Sequence, residues 1–220
     1  MMTDFSKIKN LLGLNSPNGF SKNEIASILD SFGAFPEVLI DYYKELGNCD
    51  FNSWQDFLTK PNKNYYSIMD TRTINFLADK YVVICQENQD VSFAGIKKDD
   101  LSQENPPVYF SFDEEHWEIG CDNLFNYIHG FVYYNAVCYL DYNGYFDIND
   151  NGIKFIRTNF KNKNVLFKNW VVDGNCEFYG DYDDTIMMLT AETSLYYASN
   201  NKEHFIEMEN KWKGLEIEYK

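Results

Sequence analysis

Basic side chains are scarce in this sequence and are missing altogether from its middle. Between Asp99 and Ile153 there is no lysine and no arginine, while eleven acids occur: Asp99, Asp100, Glu104, Asp113, Glu114, Glu115, Glu118, Asp122, Asp141, Asp147 and Asp150. Over the whole chain 19 Lys and Arg stand against 34 Asp and Glu, a formal net charge of −15. An anionic surface repels phosphate backbones and acidic headgroups, so nucleic acid and membrane surfaces are excluded as partners and cationic ones are favoured. Long apolar runs are lacking too. Stretches such as Tyr81–Cys85 fall far below the roughly 20 residues that span a bilayer. Residues 1–16 are broken by Asp4, Lys7, Lys9 and Asn10, which does not suit a signal peptide. A cytoplasmic location is the expectation.

Cysteine chemistry is equally thin. Cys49, Cys85, Cys121, Cys138 and Cys176 are odd in number, widely spaced and without a C-x-x-C pair, so neither a zinc motif nor a disulfide framework is indicated. Reduced thiols buried as small apolar groups are expected. The three histidines, His116, His129 and His204, are too dispersed for a helical metal pair. No G-x-S-x-G, Walker-type loop or H-E-x-x-H occurs, and the 12 glycines form no phosphate-cradling loop.

What the chain has in quantity is apolar and aromatic mass, 45% and 18% of its 220 residues, enough for a substantial core. The acidic stretch shares in it. Val108, Tyr109, Phe110, Phe112, Trp117, Ile119, Leu124, Phe125, Ile128 and Phe131 lie among its carboxylates, so it reads as a folded surface and not as a solvated tail. That surface suits a cationic partner, or serves only to keep an acidic protein soluble.

The amino-terminal third reads as helical. Phe5, Ile8, Leu11 and Leu12 fit a short helix within residues 3–14, and residues 15–19 a loop. Ser21 with Glu24 forms a capping box, and Phe20 with Ile25 a hydrophobic staple, ahead of a helix through Ile28, Leu29 and Phe32 that Gly33 ends. Phe35-Pro36 opens a second helix with Val38, Leu39, Tyr42 and Leu46 inward, for which Gly47 would supply a left-handed cap. Residues 52–58 suggest another helical turn or two, residues 61–67 a loop.

From Tyr81 the period changes to that of strands. Tyr81–Cys85 reads as a central strand, and Val91–Ile96, Val108–Phe112 and Trp117–Ile119 as its antiparallel successors. Asp122 is placed to cap a helix carrying Leu124, Phe125, Ile128, Phe131 and Val132. Beyond residue 135, Val137–Leu140 and Tyr145–Ile148 flank Asn143-Gly144 as a hairpin would. Val165–Val172 and Cys176–Tyr179 flank Asp173-Gly174 likewise, Ile186–Leu189 is apolar, and Glu203–Trp212 has a loose helical pattern. The fold class is therefore α+β: amino-terminal helices packed on a mostly antiparallel, twisted sheet. Residues 1–135 form one domain, and residues 136–220 a β-rich extension continuing it and completing or lengthening its sheet.

Several pieces in order resemble the SUKH superfamily, which includes immunity proteins of bacterial polymorphic toxin systems and fungal regulators of cell-wall synthesis. They are Gly19-Phe-Ser-Lys-Asn-Glu-Ile25, Phe35-Pro-Glu-Val-Leu39, Tyr42-Tyr43, Leu46-Gly47-Asn48, Glu87-Asn88-Gln89, Gly95-Ile96, Asn105-Pro-Pro-Val-Tyr109, Trp117 and Leu124-Phe-Asn-Tyr-Ile128. The resemblance covers residues 16–135 and rests on packing positions. It implies helices on an antiparallel sheet, no chemistry of its own, and neutralisation of a cognate toxin, often a nuclease, by direct contact. An anionic, aromatic-bearing protein can fill a basic cleft with carboxylates in place of phosphates.

Catalytic and metal readings weigh less. Asp147, Asn149, Asn151 and Gly152 match the first half of an EF-hand loop, but its twelfth position is Thr158 and its eighth Lys154, so a hairpin loop is the expectation and no metal or cofactor is assigned. The run Asp113-Glu114-Glu115 with Glu118 could hold an acid/base pair only if two carboxyls faced one cleft, whereas adjacent acids in an exposed turn are normally solvated. Cys121 and His129, eight residues apart on one helix, do not reach each other as nucleophile and base. The expectation is a non-enzymatic immunity protein that binds a basic protein toxin through Asp113, Glu114, Glu115, Trp117 and Glu118, Trp117 being the one candidate for an exposed anchor. An interaction scaffold or regulator without a toxin is the alternative, and an unrecognised hydrolase a third class.

Overall fold

The computed structural model describes residues 3–58, 60–61, 65–66, 73–74, 80–89, 91–113, 115–168, 175–190 and 194–212. Its helices are α1 (Ser6–Leu11), α2 (Lys22–Phe32), α3 (Glu37–Leu46), α4 (Leu124–Tyr139), α5 (Asp150–Asn159) and α6 (Lys202–Trp212). Strands β1 (Phe57–Leu58), β2 (Tyr65–Tyr66), β3 (Thr73–Ile74), β4 (Tyr81–Gln86), β5 (Phe93–Lys97), β6 (Val108–Ser111) and β7 (Glu118–Cys121) precede α4. After it come β8 (Tyr142–Asp147), β9 (Asn162–Lys168), β10 (Asn175–Tyr179), β11 (Thr185–Thr190) and β12 (Ser194–Ser199). The class is α+β. Strand order is β1-β4-β5-β6-β7 in one sheet and β8-β12-β11-β10-β9 in another, with β2-β3 a separate pair, and the pairings are antiparallel. The carboxy-terminal strands therefore build their own sheet and do not lengthen the first.

The chain divides into two compact units, residues 1–3 with 16–128, and residues 4–15 with 129–220. In the first, α2 begins on the expected capping box: the Ser21 hydroxyl accepts the Glu24 N–H while the Glu24 carboxylate accepts the Ser21 N–H. Lys60 also reaches that carboxylate, at 2.5 Å, and with the Ser21 bonds holds its pKa down at about 2. Helix α3 is buried on nearly every side, including Tyr42, Tyr43 and Leu46. The Tyr42 hydroxyl donates to the buried Asn52 side chain at 2.6 Å, and Asn52 in turn donates to the Leu46 carbonyl at 2.7 Å, a satisfied polar chain inside the core.

Local readings move by small amounts with clear causes. Pro36 is the residue before the first turn of α3, not in it. Gly47 is right-handed, at φ −59°; glycine is needed there because a Cβ would lie 2.8 Å from the Phe20 ring. Residues 50–53 make a 3₁₀ turn, and Phe57–Leu58 pair with β4 where a helix was expected. Tyr65–Tyr66 pair with Thr73–Ile74 where a loop was expected. Asn123, not Asp122, caps α4, its side chain accepting the Asn126 N–H at 2.9 Å.

In the second unit the sheet is covered on both faces. Ile153, Ile156 and Phe160 from and after α5, with Met208 and Trp212 of α6, pack on Met187, Leu189, Leu195 and Tyr197. On the other face α4 lays Tyr133 against Phe178 and Tyr134 against Phe167, and Phe5 beside α1 stacks on His129 of α4. Double cover explains why β11 is buried along its whole length and why Ile186–Leu189 is an unbroken apolar run. The expected hairpin at Asn143-Gly144 is absent: α4 runs on to Tyr139, and both residues lie inside β8, paired with Ala198 and Tyr197 of β12. The second expected hairpin exists as the β9–β10 pair, its Asp173-Gly174 turn lying outside the described residues.

Candidate partner-binding edge

The register of the first sheet gathers one end of it into a distinct surface. Phe93 of β5 stands opposite Ser111 of β6, and Phe110 opposite Glu118 of β7. Val91, Phe112 and the 112–118 turn therefore lie at the same end. β7 is an edge strand, as is β1 at the other side, and edges present backbone groups that a partner can pair with. Large apolar side chains are exposed on and next to β6 and β7, Phe112 at 58% and Ile119 at 55%, and before β5, Val91 at 53%. Beside them Asp113, Glu115 and Glu118 are exposed carboxylates. Apolar anchors ringed by charge are the usual anatomy of a protein-binding surface.

The expected contact residues separate into different roles. Asp113 is built into the turn: one carboxylate oxygen accepts the N–H groups of His116 and Glu115 at 2.8 and 3.0 Å, and the other meets His116 Nδ1 at 2.7 Å. These bonds from His116, first its N–H and then its ring, hold the Asp113 carboxyl well below the usual range, and Asp113 in turn raises the imidazole pKa. Glu115 and Glu118 are exposed toward solvent. Glu114 lies outside the described residues. Trp117 is not an exposed anchor. It is partly buried, stacks on Tyr81 at 4.5 Å and packs against Val83 and Phe93. Its ring lies over Gly95, where a Cβ would come within 2.9 Å of it. Phe112 and Ile119 are the large apolar residues of this stretch that are exposed instead. The signal for them was modest: each is a large apolar residue directly beside an acid, at or past a strand end.

The paired carboxylates of this unit are elsewhere, and they are buried. Asp56 and Glu87 are 2% and 3% exposed. Burial, with repulsion from Glu87 added, pushes the Asp56 pKa up to about 7, against the pull of the Asn88 N–H. Glu87 accepts the N–H groups of Gln89 and Val91 at 2.8 and 3.3 Å. The pair thus braces the β4–β5 turn from the inside.

Other potential chemistry dissolves into local structure. Asn149 caps α5 by accepting the Gly152 N–H at 3.0 Å, so the half EF-hand pattern is a strand-to-helix junction and not a hairpin loop. Cys121 donates to the Asn123 carbonyl, while the buried His129 packs between Phe5 and Tyr133. No disulfide joins the five cysteines, which are all buried but the half-buried Cys138. Among the described residues no group of three or more His, Cys, Asp or Glu side chains could hold a metal, and no helix is long and apolar enough to cross a membrane. Comparison with family models, with curated proteins and with solved structures finds no match for this chain.

Proposed function

We propose that this chain is a non-enzymatic immunity protein that neutralises a cognate protein toxin, a nuclease with a basic cleft, by stoichiometric contact through the β7 edge. One observation carries the reading: Phe112 and Ile119, on the β6–β7 part of the first sheet, are exposed, as are Glu115 and Glu118, and all four belong to a stretch without a single lysine or arginine. Burying the apolar groups supplies affinity, and the carboxylates supply steering and register against a cationic surface. The SUKH resemblance supports the same reading, since its span contains α2, α3, the β4–β7 meander and most of α4 in that order.

The test is protection of cells from the toxin encoded beside the gene, with Glu115→Lys/Glu118→Lys and with Phe112→Ser/Ile119→Ser. Both double variants should lose protection and bind the toxin at least tenfold more weakly, and wild-type binding should weaken with added salt. Full protection by the charge-reversed protein would overturn the mechanism. Capture of cellular enzymes with no toxin encoded nearby would point to the scaffold alternative.

A further inference from the structure

The second unit holds a feature that an acidic binding protein does not require. A cavity of about 90 Å³ is walled by Lys7, Lys161, Lys163, Tyr133 and Asp183, among others. In a chain with only 19 basic residues, three lysines line one hollow, one from α1 and two from the start of β9. Tyr133 is 2% exposed and lines the same hollow, yet among the described residues its hydroxyl has no hydrogen-bond partner. Its proton is therefore one that a ligand in the hollow could accept.

We propose that this cavity is a binding site for hydrogen phosphate. The wall is rich in donors: three ammonium groups and a phenol. The volume admits several waters, hence one tetrahedral oxyanion. Lys163 Nζ is held in place by donating to the Tyr182 carbonyl at 2.8 Å, leaving its other protons for a ligand. Asp181 is already engaged, by an ion pair with Lys211 and by the Lys161 N–H. Asp183, by contrast, has among the described residues only a 3.4 Å contact from the Asn10 side-chain amide, and its charge is felt by both Lys163 and Tyr133. An acceptor among donors selects an anion that still carries a proton. Hydrogen phosphate has one to give; sulfate and a phosphate monoester dianion have none, and each would set a lone pair against a carboxylate.

The lysines of the hollow act on one another. Burial pushes the Lys163 pKa down to about 8, Asp183 and Asp181 oppose the fall, and Lys161 and Lys7 add to it by repulsion. An anion between the amines would convert that repulsion into attraction.

Titration calorimetry of the full chain at low salt with inorganic phosphate, sulfate and phenyl phosphate tests the site. Saturable one-to-one phosphate binding is expected, with sulfate and phenyl phosphate at least tenfold weaker. Lys7→Met, at an exposed position, and Lys163→Met should each weaken phosphate binding at least tenfold, Tyr133→Phe severalfold, and Lys154→Met not at all. Asp183→Asn should narrow the gap between phosphate and sulfate. No saturable phosphate binding, equal binding of sulfate, or binding indifferent to both Lys7→Met and Lys163→Met would overturn the proposal.

Discussion

The two units solve the same packing problem and treat charge in opposite ways. Each builds a five-stranded antiparallel sheet. The first buries two carboxylates behind its β4–β5 turn and shows further acids along an open edge. The second covers its sheet on both faces and collects lysines around a hollow. A net charge of −15 describes neither arrangement. Overall charge governs solubility and long-range steering, whereas the local grouping of ions decides what a surface or a cavity can hold.

The largest expected effect tests the part the units share, their apolar cores. Phe178 is fully buried, with its ring against Tyr133 and Phe167, and Phe110 is buried against Tyr127. Phe178→Ala and Phe110→Ala should each lower stability by about 3–5 kcal/mol in urea unfolding. Losses below about 1 kcal/mol at either position would mean that its core is not packed as described.

The next effect should separate the units, because among the described residues Asp56, in the first, is the acid whose pKa is pushed up toward neutrality. The folded Asp56 pKa of about 7 lies above its ordinary 3.8. Between those values the folded state holds the additional proton, so stability falls as pH rises from about 4 to 7 and is level beyond. Asp56→Asn removes the buried charge while keeping an acceptor for the Asn88 N–H. It should raise stability at pH 8 by roughly 2–4 kcal/mol, and by little at pH 4. Urea midpoints across pH 4–8 measure both, and a variant less stable than wild type at pH 8 would contradict the burial argument.

How much of this was legible depended on whether a feature is local. The Ser21–Glu24 capping box is two side chains three residues apart, and the sequence carries it whole. The β4–β7 meander was legible for the same reason: short connections join strands of clear period. Helix α5 was missed although its signals are present, since Asn149 is a good cap and Ile153, Ile156 and Phe160 share a face. The Asn-Gly and Asp/Asn pattern around it reads more readily as turns, and tertiary packing outweighed that tendency. The site was half legible. Acids beside aromatics mark the region, but whether Trp117 or Ile119 faces solvent depends on Tyr81 and Gly95, which come from other strands. The lysine cavity joins α1 to residues some 150 positions later, and no local pattern predicts it.

The caps give a smaller and paired prediction. Ser21→Ala in the first unit and Asn149→Ala in the second should each cost about 0.5–2 kcal/mol. Ser21 is the more interesting of the two, because Glu24 answers it reciprocally and is held by Lys60 as well. Hydrogen exchange in the first turns of α2 and α5 would localise each loss. A cost at Ser21 and none at Asn149 would mean that α5 is held by Ile153 and Ile156 alone.

The smallest expected effect is the one on which the functional comparison turns. Glu115→Lys and Glu118→Lys change exposed side chains on an edge, where substitutions usually fall within about 0.5 kcal/mol of wild type. Asp113→Asn differs, because it weakens a carboxylate that holds the 113–116 turn by three bonds. If the two glutamate variants keep their urea midpoints but lose toxin affinity, the loss belongs to the interface and not to folding. If they unfold as readily as a core variant, the edge carries structure, and the acidic surface would no longer be available as a separate binding element.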